Sequence, residues 1–179
     1  MTVIERSTRE TTIRVEVRRG GGRATIETGQ QFLDHMMTTL ARYAGLDLTV
    51  HAQGDLKHHL IEDVAITLGA ALAKFAPPAI ARYGDRTVPM DDALVHVSLD
   101  LGGRPYYRGP LPSSLYDHWM RSFADHARVT LHVRVLRGTD RHHIVEGAFK
   151  ALGFALRDAL VETAEGAVLS TKGPVHSES

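Results

Sequence analysis

Residues 58–72 read HHLIEDVAITLGAAL, and residues 142–156 read HHIVEGAFKALGFAL. The second stretch is the first displaced by 84 positions, with seven of fifteen residues identical: two His, one Glu, Leu, Gly, Ala and Leu. Apolar residues recur through both at three- and four-residue spacing, which predicts helices with one buried face. The shared His and Glu are residues that a core does not demand. The match therefore points to an internal duplication, and that decides the fold: what the first half builds, the second builds again.

The repeat extends upstream. Gly54 and Gly138 each stand four residues before the first histidine, and Asp34-His35 and Asp117-His118 follow at a shift of 83. Four segments alternate apolar and polar with the period of a strand: Ile13, Val15 and Val17; Leu46, Leu48 and Val50; Val95, Val97 and Leu99; and Val129, Leu131, Val133 and Val135. Residues 23–28, after the Gly20-Gly21-Gly22 turn, and residues 105–108 add short strands. Helices are expected over residues 30–43, 58–75, 113–126 and 142–164, the second stopping before Pro77-Pro78. The order strand, strand, helix, strand, helix then occurs twice, with a break near residues 77–88. We expect half-repeats at 1–85 and 86–179 that together form one functional unit.

Composition narrows the function classes. The 179 residues carry 21 acids and 21 bases, so no excess of charge points to nucleic acid or to an anionic membrane. The chain has no cysteine, which excludes disulfides, thiolate zinc sites and a cysteine nucleophile, and fits a reducing cytoplasm. The charged start MTVIERSTRE lacks the apolar core of a signal peptide. No apolar run approaches the roughly 20 residues that span a bilayer. The outlying count is 11 histidines.

Their positions point to metal. On a helix, residues i and i+4 share a face, so His58 and Glu62 point together, as do His142 and Glu146. His59 and His143 are turned from their neighbours by about 100° and can serve a different centre. Two such motifs facing across a pseudo-two-fold axis could hold two ions. Each would take a His–Glu pair from one copy and the other histidine from the second. With His35 and His118 the set reaches eight ligands, three imidazoles and one carboxylate per ion. Nitrogen and oxygen donors without sulfur suit Mn, Fe, Co or Zn. His51, His96, His126, His132 and His176 lack the patterning and are read as structural or exposed. Basic residues also sit beside glycine, serine or short turns: Arg82, Arg104, Lys150 one turn beyond Glu146, and Lys172 in Ser170-Thr171-Lys172-Gly173. Such groups suit a phosphate, though spacing alone does not assemble them into one site.

The segments RSTRET (6–11), TGQQFLDHM (28–36), GD…HHLIEDVA (54–65), VPMDDAL (88–94), DLGGRPYY (100–107), TLHVRVLRG (130–138), HHIVEGAFKALG (142–153) and STKG (170–173) together resemble the imidazoleglycerol-phosphate dehydratase family. They run in family order through nearly the whole chain. The resemblance implies an α+β fold of two similar halves, each a small β-sheet with two helices on one face (ribosomal protein S5 domain 2-like). It implies two Mn2+ ions per active site and a homo-oligomer of 24 subunits with sites at subunit contacts. The implied reaction is that of a hydro-lyase of histidine biosynthesis. D-erythro-imidazoleglycerol phosphate loses water to give imidazoleacetol phosphate. Metals on the ring nitrogens would favour the imidazolate and help expel hydroxide. The remote phosphate would supply positioning energy.

Carried over by position, the metal ligands are His35, His58, His59, Glu62, His118, His142, His143 and Glu146. The substrate and its phosphate fall to Glu10, Arg82, Arg104, Lys150, Ser170 and Lys172. Glu10 or Glu62 is the candidate proton-transfer group, and Asp91 a candidate substrate contact. Two departures stand out: only Gly54-Asp55-Leu56-Lys57 precedes the first His-His, about three residues fewer than is usual, and Gly102 replaces a usual serine. The shortened loop leaves room for a sister dehydratase acting on a related azole phosphate. A non-catalytic metal-binding assembly protein is the reading from another class, but it has no use for the four cations Arg82, Arg104, Lys150 and Lys172.

Overall fold

The duplication shows directly in the order of elements. In the computed structural model, which describes residues 1–163, the first half comprises β1 (Thr2–Ser7), β2 (Thr11–Arg19), β3 (Ala24–Glu27), α1 (Gln31–Ala44), β4 (Leu46–Gly54) and α2 (Lys57–Phe75). The second repeats that order as β5 (Tyr83–Met90), β6 (Ala93–Leu101), β7 (Tyr106–Arg108), α3 (Ser114–Ala127), β8 (Val129–Arg137) and α4 (Arg141–Ala159). The sheets are ordered β1-β2-β4-β3 and β5-β6-β8-β7. In each, the first three strands are antiparallel and the last is parallel to its neighbour. A parallel pair needs a crossover, and α1 and α3 supply it.

The alternating segments became β2, β4, β6 and β8 because one face of each is buried: Ile13, Val15 and Val17, and Val95, Val97 and Leu99, all lie inside. The short strands at 23–28 and 105–108 became β3 and β7. Two edge strands, β1 and β5, were not anticipated, so each half has three strands before its first helix. β1 is part-buried along most of its length and β5 is exposed except at Gly84, Val88 and, in part, Met90, so neither carries a clean alternation. Pro89 sits within β5, as an edge strand permits. Because β5 starts at Tyr83, the second sheet begins ahead of the boundary expected at residue 85. The last helix was expected to reach residue 164 and stops at Ala159. The carbonyls of Ala159 and Val161 accept instead from the amides of Arg82 and Ala81, which turns the chain out of the helix.

The two helices of each half cover one face of their own sheet, α2 lying on β1, β2 and β4, and α4 on β5 and β6. Their other side meets the helices of the other half: α2 packs on α3, and α1 on α4. The layers are therefore sheet, helices, helices, sheet, around one core. Trp119, Phe123 and Phe149 fill the helical seam fully buried, with the Trp119 ring 4.6 Å from that of Phe149. The repeated glycines explain themselves here. A Cβ on Gly69 would stand 2.8 Å from the backbone of Phe123 and Ala127, and one on Gly153 2.7 Å from Cβ of Tyr43. Each glycine lets two helices from opposite halves cross closely.

Candidate metal centre

The helix starts at the seam bring the candidate ligands together. His142 and Glu146, one turn apart on α4, meet His35 from α1: Glu146 Oε2 is 3.1 Å from His142 Nε2 and 3.3 Å from His35 Nε2. The pseudo-symmetric group forms on α2, where Glu62 Oε1 is 3.1 Å from His118 Nε2 of α3 and Oε2 is 3.6 Å from His58 Nε2. In each group the three donor atoms lie within 4.8 Å of one another. The paired rings lie nearly parallel, 6.1 Å apart for His35 and His142 and 5.3 Å for His58 and His118. His118 Nε2 is buried and makes no hydrogen bond, although Glu62 is within reach. Two imidazole nitrogens and a carboxylate oxygen aimed at a common point, one of them without a hydrogen bond, fit a divalent ion of borderline softness. Each group draws two donors from one half and the third from the other.

The second histidine of each pair points elsewhere. The His58 and His59 rings stand at 82°, and those of His142 and His143 at 88°, and consecutive helix positions leave the helix about 100° apart. His59 Nδ1 bonds Asp55 at 2.9 Å and lies 3.5 Å from Glu10. His143 Nδ1 bonds Asp92 at 2.8 Å, and its Nε2 is 3.3 Å from Asp91. The hydrogen bonds to Asp55 and Asp92 raise the proton affinity of these two imidazoles. Thus Glu10 and Asp91 occupy matching places, each at the turn between the first two strands of its half and each facing a second histidine. Asp91 adopts φ 48°, a conformation that Asp tolerates better than most residues.

Several supporting residues were not singled out by the sequence reading. Asp92 accepts from the amides of Thr139 and Asp140 as well as from His143, and these bonds hold its carboxyl well below the usual range. Asp34 and Asp117, beside the ligand-type histidines, do not join the groups. Asp34 accepts from the Thr28 amide, and Asp117 from the Leu111 amide and, at 2.6 Å, the Tyr107 hydroxyl, so each anchors the start of its helix. Asp63, next to Glu62 and buried, accepts from Arg6 at 2.9 Å and from Thr11, which ties the 6–11 loop carrying Glu10 to α2. Two of these carried a signal: Asp55 and His59 are i,i+4, and Asp63 is an acid at a core position of its helix.

Among the described residues, the basic candidates do not converge within the chain. Lys150 lies against the first group, its Nζ 2.8 Å from Glu146 Oε1. Burial pushes the Glu146 carboxyl up, but Lys150 and His35 outweigh it and leave it lowered. Arg82 is instead fork-bonded to Asp100 at the far end of β6, and the Arg104 carbonyl accepts from Thr130 beside it. Ser170 and Lys172, and with them His176, lie outside the described residues. His51, His96 and His126 bond Glu27, Thr87 and the Ser122 carbonyl, and the His132 ring lies beside Tyr106. No helix among the described residues is long and apolar enough to cross a membrane.

Comparison with known proteins supplies the family and the fold. The family model for imidazoleglycerol-phosphate dehydratase matches residues 28–156. A protein of that name from Salinispora arenicola is 47% identical, with 95% of this chain and 96% of the relative aligned. One from Methanoculleus marisnigri is 44% identical over the same shares of the two chains. A crystal structure of the enzyme from Pyrococcus furiosus superposes with a TM-score of 0.86 at 42% identity, covering 96% of this chain and all of that one. The Staphylococcus aureus structure gives 0.82 at 32% identity, with 90% and 99% covered.

Proposed function

Because the chain belongs to the imidazoleglycerol-phosphate dehydratase family, we propose that its two His–His–Glu groups are the metal sites of that reaction. The chain is a hydro-lyase of histidine biosynthesis, converting imidazoleglycerol phosphate to imidazoleacetol phosphate. The observation that carries the site assignment is the exchange of the third donor: His35 joins His142 and Glu146, and His118 joins His58 and Glu62. The halves 1–85 and 86–179 then act as one unit. We take the ions to be Mn2+, two per active site. Bound there, they supply Lewis-acid polarisation and a template for the imidazole.

The chain's own residues account for the rest. In the overall change a carbon-bound proton and a hydroxide leave as water, and the resulting enol becomes a ketone. Glu10 and Asp91 are exposed carboxylates beside His59 and His143, free to face a substrate and accept or return that proton. Glu62, the third candidate for this step, is held between His58 and His118 and serves first as a ligand.

A single chain does not complete the site. From Asp92 to Asp100 along β6 is eight residues, or roughly 26 Å at a strand's rise. From His142 to Ala159, whose carbonyl takes the Arg82 amide, the helix gives roughly the same 26 Å. Three carbons between an imidazole and a phosphate cannot cover that. Arg82 and Arg104 therefore serve a metal group on a neighbouring subunit, while Lys150 lies at the metal group of its own chain. His59 and His143, held outside their own groups, reach ions of neighbouring copies as the fourth ligands. This supports a closed homo-oligomer, proposed as 24 subunits. Ser170 and Lys172 are proposed to complete the phosphate contacts. A charged phosphate ester does not cross membranes unaided, which favours a cytoplasmic enzyme acting on a small molecule, without nucleic-acid or membrane partners.

One preparation tests this with three readings: metal content, mass in solution and turnover of imidazoleglycerol phosphate. We expect about two ions per chain, one for each group, a large particle and turnover. Full metal content in His58→Ala would undo the ligand assignment. Metal and a large particle without turnover would instead favour a related azole phosphate as the substrate.

A further inference from the structure

The His and Glu residues of the two metal groups match, but one charged neighbour of the carboxylate does not. Shifted by 84, Glu146 falls on Glu62 and His142 on His58, but Lys150 falls on Ile66. Lys150 is no loose surface cation. Its side chain is 16% exposed, its ammonium lies 5.9 Å from the centre of the Tyr43 ring and 3.0 Å from Met90 Sδ, and it contacts Glu146, whose side chain is 8% exposed. The Glu146 carboxylate is thereby divided. Oε1 accepts from Lys150, and Oε2 alone faces His35 and His142. Glu62 has no cationic neighbour of this kind among the described residues, and both its oxygens face imidazoles, Oε1 toward His118 and Oε2 toward His58. With neutral imidazoles, the Glu146 set with Lys150 sums to zero, and the Glu62 set carries one negative charge.

We infer that the two metal sites are unequal: Lys150 makes the His35–His142–Glu146 site the weaker one and leaves Glu146 a single oxygen for the ion. This rests on the metal assignment proposed above. A divalent ion on Oε2 would sit a few ångströms from the ammonium, and Lys150 and Glu146 are both little exposed, so like charges there repel more than in water. If the ion displaces Lys150, that side chain loses a buried partner; if it does not, the repulsion remains. Both routes weaken the same site. The second histidines are not the source of the difference, because each is held by a carboxylate in both halves.

The test titrates Mn2+ alone into the full chain after chelator stripping, reading bound ion by calorimetry and free ion by electron paramagnetic resonance. The expected result is two equally populated classes separated by about tenfold or more. Glu146→Gln removes the weaker class and Glu62→Gln the tighter. Lys150→Met draws the classes together, and Ile66→Lys weakens the tighter one, which keeps the test available should Lys150→Met fail to fold. One class of identical sites in the parent chain, or an unchanged separation in Lys150→Met, overturns the inference and leaves the metal assignment standing. No Mn2+ binding at all sinks both.

Discussion

Gly69→Ala puts a methyl group into the crossing of α2 and α3. In a helix with open space around it, this change stabilises by about 0.5–1 kcal/mol. Here the added Cβ would stand 2.8 Å from the Phe123 carbonyl and the Ala127 amide, against about 3.4 Å for an ordinary contact. Both neighbours are backbone, so a whole helix must retreat by about 0.6 Å. Overpacking of this kind costs about 1–3 kcal/mol. The net expectation is a loss of about 1–2 kcal/mol, or a melting temperature lower by about 2–8 °C. Urea unfolding of the metal-free protein measures it, with Gly147→Ala as the control. That glycine is also inside a helix, but its nearest neighbour is a Val95 methyl at 3.3 Å, so the change should be neutral or stabilising. The same displacement reaches the chemistry. Glu62 lies seven residues before Gly69 on α2, and His118 five before Phe123 on α3, or about 10 and 7.5 Å of helix. Mn2+ affinity should therefore fall at the Glu62 group and hold at the Glu146 group, and Gly153→Ala should do the reverse. A Gly69→Ala protein at least as stable as its parent, with both sites intact, would refute the seam as the element that sets the metal groups.

Other consequences are open to measurement. Asp92→Ala frees the amides of Thr139 and Asp140 and releases His143, so Mn2+ affinity should drop about 10–100-fold, as for other carboxylates that orient a ligand histidine; equilibrium dialysis against a chelator reads it. Asp47 bonds Arg23 and the Gly21 amide, and these partners lower its carboxyl to about 2 from an ordinary 3.8. A lowered carboxyl stabilises above the unfolded value, so its contribution is full above about pH 4 and fades as pH falls toward 2. Asp47→Asn should thus be less stable at pH 7, with a flatter acid limb in unfolding experiments. Metal occupancy should fall as pH drops below about 6, because imidazole must be neutral to ligate. His59 and His143, raised by Asp55 and Asp92, should make the fall begin earlier; full occupancy at pH 5 would argue against a histidine-dominated site.

The sequence made most of this legible where a period or an exact repeat carried it. Val95, Val97 and Leu99 alternate because one face of β6 is buried, and His58 and Glu62 pair because four residues close a helical turn. β1 and β5 escaped because an edge strand with both faces partly wet leaves little alternation, and Pro89 and Gly84 inside β5 mimic a loop. The sequence reading expected the donor exchanged between halves to be His59 or His143; that it is His35 or His118 escaped for another reason. Spacing ties residues within an element, whereas the packing of α1 on α4 is set by side chains spread over the seam. The same limit hid Asp92: it meets His143 across 51 positions, and nothing local distinguishes it from Asp91.

On the proposed metal assignment, that exchange explains why the two halves would work as one unit. Taken alone, the motif on α2 offers one imidazole and one carboxylate at a common point, too few to hold an ion against water. The third donor arrives only when α3 of the other half packs across α2, and the same holds for α1 on α4. Ligand geometry therefore depends on the distance between helices from different halves, which the buried aromatic pair Trp119 and Phe149 and the crossings at Gly69 and Gly153 fix. The identities shared by residues 58–72 and 142–156 then have two causes. On the proposed assignment the histidines and glutamates recur for the ions, and the glycines recur because the helices must approach closely enough to bring those residues together.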